Sequence, residues 1–347
     1  MYQDAVSSSP IKEIITKAVE NVTGVVDEVF LHTEDHDAVI VYDNRSLLSS
    51  ILAKGYREAI PKAQCIDFDE TSPDEVLATL NALNEYDLVV LVQSTSFRLD
   101  AFRIRVELFK RKIKVIEHPH LSRMSDDEVE TYIDTLAYDS DYFRGTGRAL
   151  KAKIDAAPYG VIESGGSERL VYNTPFESAK MNIGDYSEMP NTGGQFPIGE
   201  VFTEGVDLTA LNGRAKVYCF GDVNYRVNKP EIPITLIIEN GLVVDCENST
   251  PSFDLILSNI RRDEEVVWVR ELGFGLNRAL TKTRFLGDTG SYERMCGVHV
   301  SLGRKHGMYG KPGFKRRDGM YHVDVFIDTD TVTLGDEVVF EDEAWIV

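Results

Sequence analysis

The segment Tyr321-His-Val-Asp-Val-Phe-Ile327 alternates polar and apolar side chains close to the carboxyl end of the printed chain. In a β-strand, alternate residues face opposite sides, so His322 and Asp324 would project together, about 6.5–7 Å apart. An imidazole and a carboxylate at that spacing can reach a common metal ion. A hydrogen-bonded pair on the surface would give the same pattern, so the segment by itself does not decide between the two.

Three further donors of the second half lie in or beside apolar runs. His299 stands between two valines, Glu271 ends an apolar run, and Glu200 lies in a short apolar run after the glycine-rich loop 191–195. Carboxylates and imidazoles without thiolates suit Zn²⁺, Mn²⁺, Co²⁺ or Fe²⁺. His306 falls in a basic loop, where a surface position is the ordinary interpretation.

The pattern of apolar residues in the first half of the chain differs from that in the second half. In the first half, apolar segments typical of buried strands alternate with helical patterns, which predicts a doubly wound, mainly parallel sheet. The predicted strands are 37–43, 64–68, 87–93 and 113–117, and the predicted helices are 11–22, 46–60, one that begins at 72, and 99–112. No Gly-x-Gly-x-x-Gly follows any strand, which argues against a dinucleotide site. His118 and His120 flank Pro119 in a predicted turn, where solvation is the simplest expectation.

A helical stretch at 125–157 links the halves, and strand-like segments separated by turns follow it. These segments are 161–172, 216–220, 232–238, 242–246, 266–272, 298–302, 321–327 and 332–340. Asn240-Gly241 between two of them predicts a hairpin. The sequence therefore predicts an α/β N-terminal domain over 1–157 and a mostly β, barrel- or sandwich-like domain over 158–347 that carries the candidate metal-binding residues.

Composition limits the partners. The 347 residues include 37 Lys and Arg against 57 Asp and Glu, a net charge of −20, which argues against nucleic acid and anionic membranes as partners. No apolar run or leader pattern predicts a membrane span or a targeting segment. Four cysteines without regular spacing predict free thiols and a cytoplasmic location; they are Cys65, Cys219, Cys246 and Cys296.

One local segment runs against the overall charge. Residues 304–318 contain six basic side chains and one acid; the basic ones are Arg304, Lys305, Lys311, Lys315, Arg316 and Arg317. Such a segment is either a solvated loop or a basic rim that attracts a carboxylate-bearing substrate.

The run Gln195-Phe-Pro-Ile-Gly-Glu-Val-Phe-Thr203 resembles the Pro-x-Gly-Glu-Val-Phe-Thr signature of the thermophilic metallo-aminopeptidases, the aminopeptidase T family. Segments 270–277, 299–303 and 322–324 follow in the same order as the family's other motifs. The resemblance covers residues 195–324, and the first half agrees with the family only in its general α/β character.

This resemblance implies a hydrolase of peptide or amide bonds, aminopeptidase-like, in which two divalent ions (Zn, Co or Mn) activate a water. It implies five ligands: Glu200, Glu271, His299, His322 and Asp324. Glu200 and Glu271 would also be candidate proton carriers. The family has a further ligand, a tyrosine, where this chain has His306, so either His306 replaces it or Tyr309 takes the role. The family also implies a homodimer and a peptide or small amide substrate.

Two other functions remain open. The 2,5-dihydroxypyridine ring-opening dioxygenases look similar to this family in fold but use one Fe(II) held by two histidines and an aspartate. His322 and Asp324 would suit that triad, whereas Glu271 stands where those enzymes have a histidine, which favours the peptidase. A divergent member could also bind a peptide without cleaving it.

Overall fold

A computed structural model describes residues 9–99, 104–187, 192–315 and 319–347. By its internal contacts the chain divides into two units. The first, called the α/β unit below, comprises the residues up to Ser140 together with Gly184–Ile198, and the second, the β unit, comprises Asp141–Ile183 and Gly199–Val347. The domain limits 1–157 and 158–347 stay a prediction.

The α/β unit contains a sheet whose five described strands are all parallel, in the order β2-β1-β3-β4-β8. The strands are β1 (Ala38–Tyr42), β2 (Gln64–Asp67), β3 (Leu88–Val92), β4 (Lys114–His118) and β8 (Gly193–Gln195). β1 and β3 are buried along their whole length, as expected of parallel strands covered on both faces. The predicted parallel sheet is confirmed.

The strand β8 comes from the segment that the sequence marks as a glycine-rich loop. Its first residue, Gly193, lies against the backbone of β4, and a Cβ there would sit 2.0 Å from the carbonyl oxygen of Val115. Glycine is therefore required for this strand to pair. Asn191, the first residue of the predicted loop, lies outside the described residues.

Two helices of the α/β unit begin at serine residues that cap them. The helices of this unit are α1 (Ser9–Gly24), α2 (Leu47–Ala59), α3 (Pro73–Ala82), α4 (Ile104–Lys110) and α5 (Val129–Asp134). Ser46 and Ser72 each accept a backbone N–H at a helix start and form capping boxes, which satisfy donors that a helix leaves unpaired. Residues 100–103 of the helix predicted over 99–112 lie outside the described residues. The single helical stretch predicted at 125–157 is instead a 3₁₀ turn at Asp126–Glu128, then α5, then α6 (Ser140–Ala156).

The β unit is built on an antiparallel sheet of 14 described strands. Its main path runs β19-β18-β17-β5-β6-β10-β16-β15-β14-β9-β7; β11 and β12 also pair with β10, and β13 pairs with β12. The strands are β5 (Gly160–Ser164), β6 (Glu168–Tyr172), β7 (Lys180–Asn182), β9 (Glu200–Glu204), β10 (Leu211–Gly221), β11 (Val227–Asn228), β12 (Ile234–Glu239), β13 (Leu242–Glu247), β14 (Val269–Gly275), β15 (Gly297–Leu302), β16 (Val323–Ile327), β17 (Thr329–Leu334), β18 (Glu337–Glu341) and β19 (Ala344–Trp345). The predicted mostly β second part is confirmed.

Turn chemistry explains where the strand predictions succeed and fail. Asn240 and Gly241 both have positive φ and join β12 to β13, which confirms the predicted hairpin. The predicted strand 161–172 is two strands, because Gly165 and Gly166 take positive φ and turn the chain between β5 and β6. The predicted strand 332–340 is likewise divided into β17 and β18, at Gly335.

One helix of the β unit interrupts the region that the sequence assigns to strands. α7 (Pro251–Glu264) starts at the cap Thr250 and buries Phe253, Ile256, Leu257 and Ile260. Those four residues recur at helical spacing, so the pattern was available in the sequence. A short helix, α8 (Thr289–Tyr292), precedes β15.

The helices of the described residues are too short or too polar to cross a lipid bilayer. The four cysteines form no disulfide bond with one another.

Candidate metal centre

Four neighbouring strands of the β unit carry four of the candidate ligands. Glu200 lies on β9, Glu271 on β14, His299 on β15 and Asp324 on β16, and these strands lie side by side in the sheet. His299 is paired across the ladder with Gly273, two residues from Glu271. Alternate residues share a face of a sheet, so Glu271 and His299 lie on the same face. Residues scattered along the sequence thereby meet in one place.

Glycines make room for this cluster. The ring of His299 lies over Gly273, where a Cβ would come within 2.1 Å of the ring atoms Cε1 and Nε2. Gly199, just before Glu200, has a φ of +114°, and a Cβ there would meet the ring of Phe143 at 2.6 Å. The glycines of the Gly-Glu and Glu-Leu-Gly segments are therefore needed so that the polar side chains can face inward.

His322 lies just before β16 rather than within it. The predicted strand 321–327 begins at Val323, because the side chain of Glu264 on α7 accepts the backbone N–H groups of Met320 and Tyr321 and holds that segment out of the ladder. His322 nevertheless faces Asp324, with its Nε2 3.2 Å from the Asp324 Oδ1. The pair therefore meets as predicted, although by a bent segment and not by strand alternation.

The donor atoms form two groups that share one glutamate. Nε2 of His299 lies 3.3 Å from the Glu200 Oε1 and 3.7 Å from the Glu271 Oε1. Nε2 of His322 lies 4.0 Å from the same Glu271 oxygen. The first group is thus Glu200, Glu271 and His299, and the second is Glu271, His322 and Asp324, each with donor atoms within 4.8 Å of one another.

Several of these donors are buried and lack hydrogen bonds. Both ring nitrogens of His299 and the Oδ1 of Asp324 have no hydrogen-bond partner, although His299 is fully buried and Asp324 is only 7% exposed. A buried polar group without a partner costs free energy. Carboxylate oxygens and imidazole nitrogens that converge in this way are the donor set that divalent ions such as Zn²⁺ and Mn²⁺ take, so these residues fit a divalent metal ion.

The electrostatics of the cluster also favour positive charge. Burial alone would lower the pKa of His299, but the carboxylates of Glu200 and Glu271 raise this pKa to about 10. The pKa of His322 is likewise raised well above its usual value, because Asp324 outweighs the cost of burial. Burial would raise the pKa of Glu271, yet the surrounding histidines hold it well below its usual range. The cluster therefore binds protons tightly, and would bind a metal ion in their place.

His306 and Tyr309 take different positions around the cluster. Nε2 of His306 lies 3.0 Å from the Glu271 Oε2, whereas His299 and His322 face the other oxygen of that carboxylate, Oε1. The hydroxyl of Tyr309 donates to the backbone carbonyls of Ser178 and Phe202. Burial raises the pKa of Tyr309, so this hydroxyl keeps its proton. Neither residue belongs to the two donor groups among the described residues.

The basic segment divides into separate environments. Lys311 is 7% exposed, and its ammonium contacts the Glu177 Oε1 at 2.6 Å and the Glu204 Oε1 at 3.5 Å. It is therefore a buried partner of acidic groups and not part of a rim. Lys305 is exposed, and Arg316 and Arg317 lie outside the described residues.

A cleft of about 350 Å³ opens beside the second donor group. His322 and Asp324 line it together with acidic, basic and apolar side chains; among these are Asp222, Val223, Tyr225, Glu293, Lys305 and Met320. Val223, Tyr225 and Met320 are exposed apolar side chains. The cleft thus offers a polar floor and an apolar rim to a small molecule or a short peptide.

Two residues next to the cluster carry no motif in the sequence. Arg294 is 9% exposed, and its Nη1 donates to the Glu200 Oε2 at 2.5 Å and to the Glu293 Oε2 at 2.8 Å. Burial raises the pKa of Glu293 to about 8, and Asp324 and Glu200 act in the same direction. Both residues immediately precede β15, so their closeness to His299 along the chain was the available signal.

His118, predicted to be solvated in a turn, is the fully buried last residue of β4. Its Nε2 and Nδ1 lie 2.7 Å and 2.8 Å from the hydroxyls of Tyr56 and Tyr132. The imidazole is therefore completely satisfied within the α/β unit. His120 has a left-handed backbone with φ of 57° and contacts the Ser96 hydroxyl at 3.3 Å.

No protein-family model matches the chain, and no curated protein matches it in sequence. Among solved structures, the chain matches a 2,5-dihydroxypyridine dioxygenase from Pseudomonas putida KT2440 with a TM-score of 0.63 and 16% identity, over 96% of this chain and 97% of that one. It matches wild-type AmpT from Thermus thermophilus with a TM-score of 0.57 and 12% identity, over 96% and 99%. The likeness to aminopeptidase T is thus a distant relationship of the fold.

Proposed function

We propose that this chain is a metal-dependent hydrolase of peptide or amide bonds, aminopeptidase-like in its chemistry. The observation that carries the proposal is the pair of donor groups that share Glu271, in which His299 and Asp324 are buried without hydrogen-bond partners. Five side chains would hold the metal, and they are Glu200, Glu271, His299, His322 and Asp324. Divalent ions at such a site supply a Lewis acid and lower the pKa of bound water.

The composition of the donor groups supports hydrolysis over oxygen chemistry. Each group has one histidine and two carboxylates, and the described residues form no group of two histidines and one carboxylate. The latter set is typical of non-heme Fe(II) oxygenases. The dioxygenase remains the second candidate because a 2,5-dihydroxypyridine dioxygenase shares this fold with a TM-score of 0.63.

The cleft supports a small peptide or amide as substrate. Its residues His322 and Asp324 belong to the second donor group, so a molecule lying in the cleft reaches the cluster directly. Lys305 also lines the cleft and forms no ion pair within the described part of the chain. Its ammonium would attract a substrate carboxylate, whereas Val223 and Met320 would contact apolar side chains.

Glu293 is the proposed proton carrier. Three glutamates of this region each have one oxygen held by a neighbour: Arg294 holds Glu200 and Glu293, and His306 holds Glu271. Glu200 and Glu271 would in addition hold the metal. Glu293 lines the cleft, its side chain is 27% exposed, and burial raises its pKa to about 8. A carboxyl group with a pKa near neutrality can give its proton to a leaving amine.

The test begins with metal content and continues with substrates. Protein purified without chelators or nickel resin is analysed for metals and then assayed on short peptides with free amino ends. About two equivalents of zinc, cobalt or manganese per chain, with peptide cleavage, would support the hydrolase. One equivalent of iron with oxygen consumption on a dihydroxypyridine would support the dioxygenase instead. Peptide binding without turnover in metal-loaded protein would indicate a binding protein.

Size-exclusion chromatography of the same sample tests the proposed homodimer.

A further inference from the structure

The two glutamates of the cluster use their oxygens differently. In Glu200, Oε1 faces the His299 Nε2 at 3.3 Å, while Oε2 accepts a hydrogen bond from Arg294 at 2.5 Å. The same guanidinium also binds Glu293, and its buried Nε has no hydrogen-bond partner. Arg294 therefore holds the outer oxygen of Glu200 and leaves the inner oxygen to the cluster.

His306 does the same for Glu271. The Oε1 of Glu271 faces both His299 and His322, whereas Oε2 lies 3.0 Å from the His306 Nε2. A carboxylate only accepts hydrogen bonds, so Nε2 of His306 carries the proton. Its Nδ1 then accepts from the backbone N–H groups of Met308 and Tyr309, each at 3.4 Å. With both nitrogens engaged, His306 has no lone pair facing the donor groups.

His322, a further candidate ligand, is held by a backbone carbonyl on the side of its ring that faces away from the cluster. Nδ1 of His322 donates to the carbonyl oxygen of Lys305 at 3.0 Å, which leaves the lone pair of Nε2 directed towards Asp324 and Glu271. Fixed tautomers and outer hydrogen bonds of this kind are the usual support of protein metal ligands.

We infer that Arg294 and His306 are positioning residues that hold the outer oxygens of Glu200 and Glu271, so that each glutamate offers one oxygen to a divalent ion. This inference rests on the proposed function. It assigns His306 to the support of a ligand, and not to the ligand position where the aminopeptidase T pattern has a tyrosine. Loss of such a partner typically weakens metal binding about 10–100-fold.

Binding of Co²⁺ and Zn²⁺ to metal-free protein tests His306. Glutamine places an amide N–H close to the position of the imidazole Nε2, so His306→Gln should keep the Co²⁺ absorption spectrum and an affinity within about threefold of wild type. His306→Ala should lose about 10–100-fold with the spectrum of the bound Co²⁺ unchanged. If His306→Gln alters the spectrum and binds as poorly as His306→Ala, His306 is a ligand and the inference fails.

The same titrations test Arg294. Arg294→Met should weaken Zn²⁺ binding about 10–100-fold, because the freed carboxylate can rotate. Arg294→Lys, which keeps the charge and a single donor and guards against failure to fold, should lose less. Arg214→Gln is the matched control, because Arg214 pairs with the carboxylates of Glu168 and Glu247 away from the cluster. Tighter Zn²⁺ binding in either Arg294 variant would show that the guanidinium competes with the ion, which overturns the inference.

Wild-type protein separates the two possible failures. If it binds neither Co²⁺ nor Zn²⁺, the proposed function fails together with the inference. If wild type binds both ions and the Arg294 and His306 variants bind them equally well, only the inference fails.

Discussion

Two buried histidines of this protein have opposite surroundings. His118 in the α/β unit and His299 in the β unit are both 0% exposed. Tyrosine hydroxyls contact both nitrogens of His118, and burial lowers its pKa to about 3. Neither nitrogen of His299 has a hydrogen-bond partner, and its carboxylate neighbours raise its pKa to about 10 against the effect of burial.

The difference teaches how burial alone should be interpreted. Around His118 the protein supplies its own hydrogen-bond partners, so the polar centre is complete and contributes to stability. Around His299 the neighbours are carboxylates, which only accept hydrogen bonds, so the centre offers oxygens and imidazole nitrogens to a proton or a metal ion. An incomplete buried centre is the stronger indication of a binding site.

The largest expected effect comes from Glu271, which both donor groups share. Glu271→Gln removes a charge from each group while keeping the shape, so metal affinity should fall by more than about 100-fold and peptide hydrolysis should be lost. Elemental analysis and a peptide assay measure the two effects. His118→Gln is the control and should keep the metal. If the Glu271→Gln protein kept its metal content and activity, the carboxylates around His299 would not form the metal site. The proposed contrast between His299 and His118 would then fail.

Glu293 lines the cleft and is joined to the cluster around His299 through Arg294, which also binds Glu200. Glu293→Gln cannot transfer a proton, so kcat should fall about 10²–10⁴-fold while metal content stays normal. The pH profile of kcat should also lose its alkaline limb, because the carboxyl that must be protonated is gone. Stopped assays over pH 5–10 on metal-replete protein measure both. An unchanged pH profile would assign the proton transfer to another group.

The buried site around His118 should make the stability of the folded protein sensitive to acid. The native pKa of His118 is about 3, whereas an unfolded histidine has a pKa of about 6.5. The unfolded state therefore binds more protons between these values, so this contribution to stability is present above pH 6.5 and is lost as the pH falls towards 3. The loss should approach about 5 kcal/mol. Urea unfolding at pH 7.5, 5.5 and 4.5 measures the free energy of unfolding. As the pH falls, this free energy should decrease less for His118→Gln than for wild type. Equal decreases in the two proteins would contradict the proposed role of His118.

The smallest expected effect concerns the exposed Lys305. An exposed ion pair contributes up to about 1 kcal/mol, so Lys305→Gln should raise KM about three- to fivefold for peptides with a free carboxylate. KM should not change for the same peptides with an amidated carboxyl end, and kcat should not change for either kind of peptide. Lys315→Gln is the matched control from the same basic segment, outside the cleft lining. Equal effects on free and amidated peptides would argue against recognition of a carboxylate.

The sequence was informative where the pattern is local. Alternation of residues along strands and the Asn240-Gly241 turn predict elements that the structure contains, because a strand or a hairpin depends on a few neighbouring residues. His322 and Asp324 lie close together as the sequence suggested, because they are only two residues apart, although a bent segment and not strand alternation brings them together.

Contacts between distant segments were beyond this reasoning. The ion pair of Arg294 with Glu200 and the contact of Glu264 with Tyr321 join residues that no spacing rule connects. His118 was expected to be solvated because its burial depends on Tyr56 and Tyr132, which arrive from two separate helices. Lys311 was counted with the exposed basic residues because its acidic partners lie far away in sequence.

The spread of the candidate ligands over β9, β14, β15 and β16 has a consequence for the protein's lifetime. Ions bound by the two donor groups, which share Glu271, would tie together four strands drawn from widely separated parts of the chain. Ligands that bind only the folded state stabilise it by mass action. Metal-depleted chains would then open more often and be degraded faster. The supply of metal would thus set how much of this protein a cell retains, in addition to how active each molecule is.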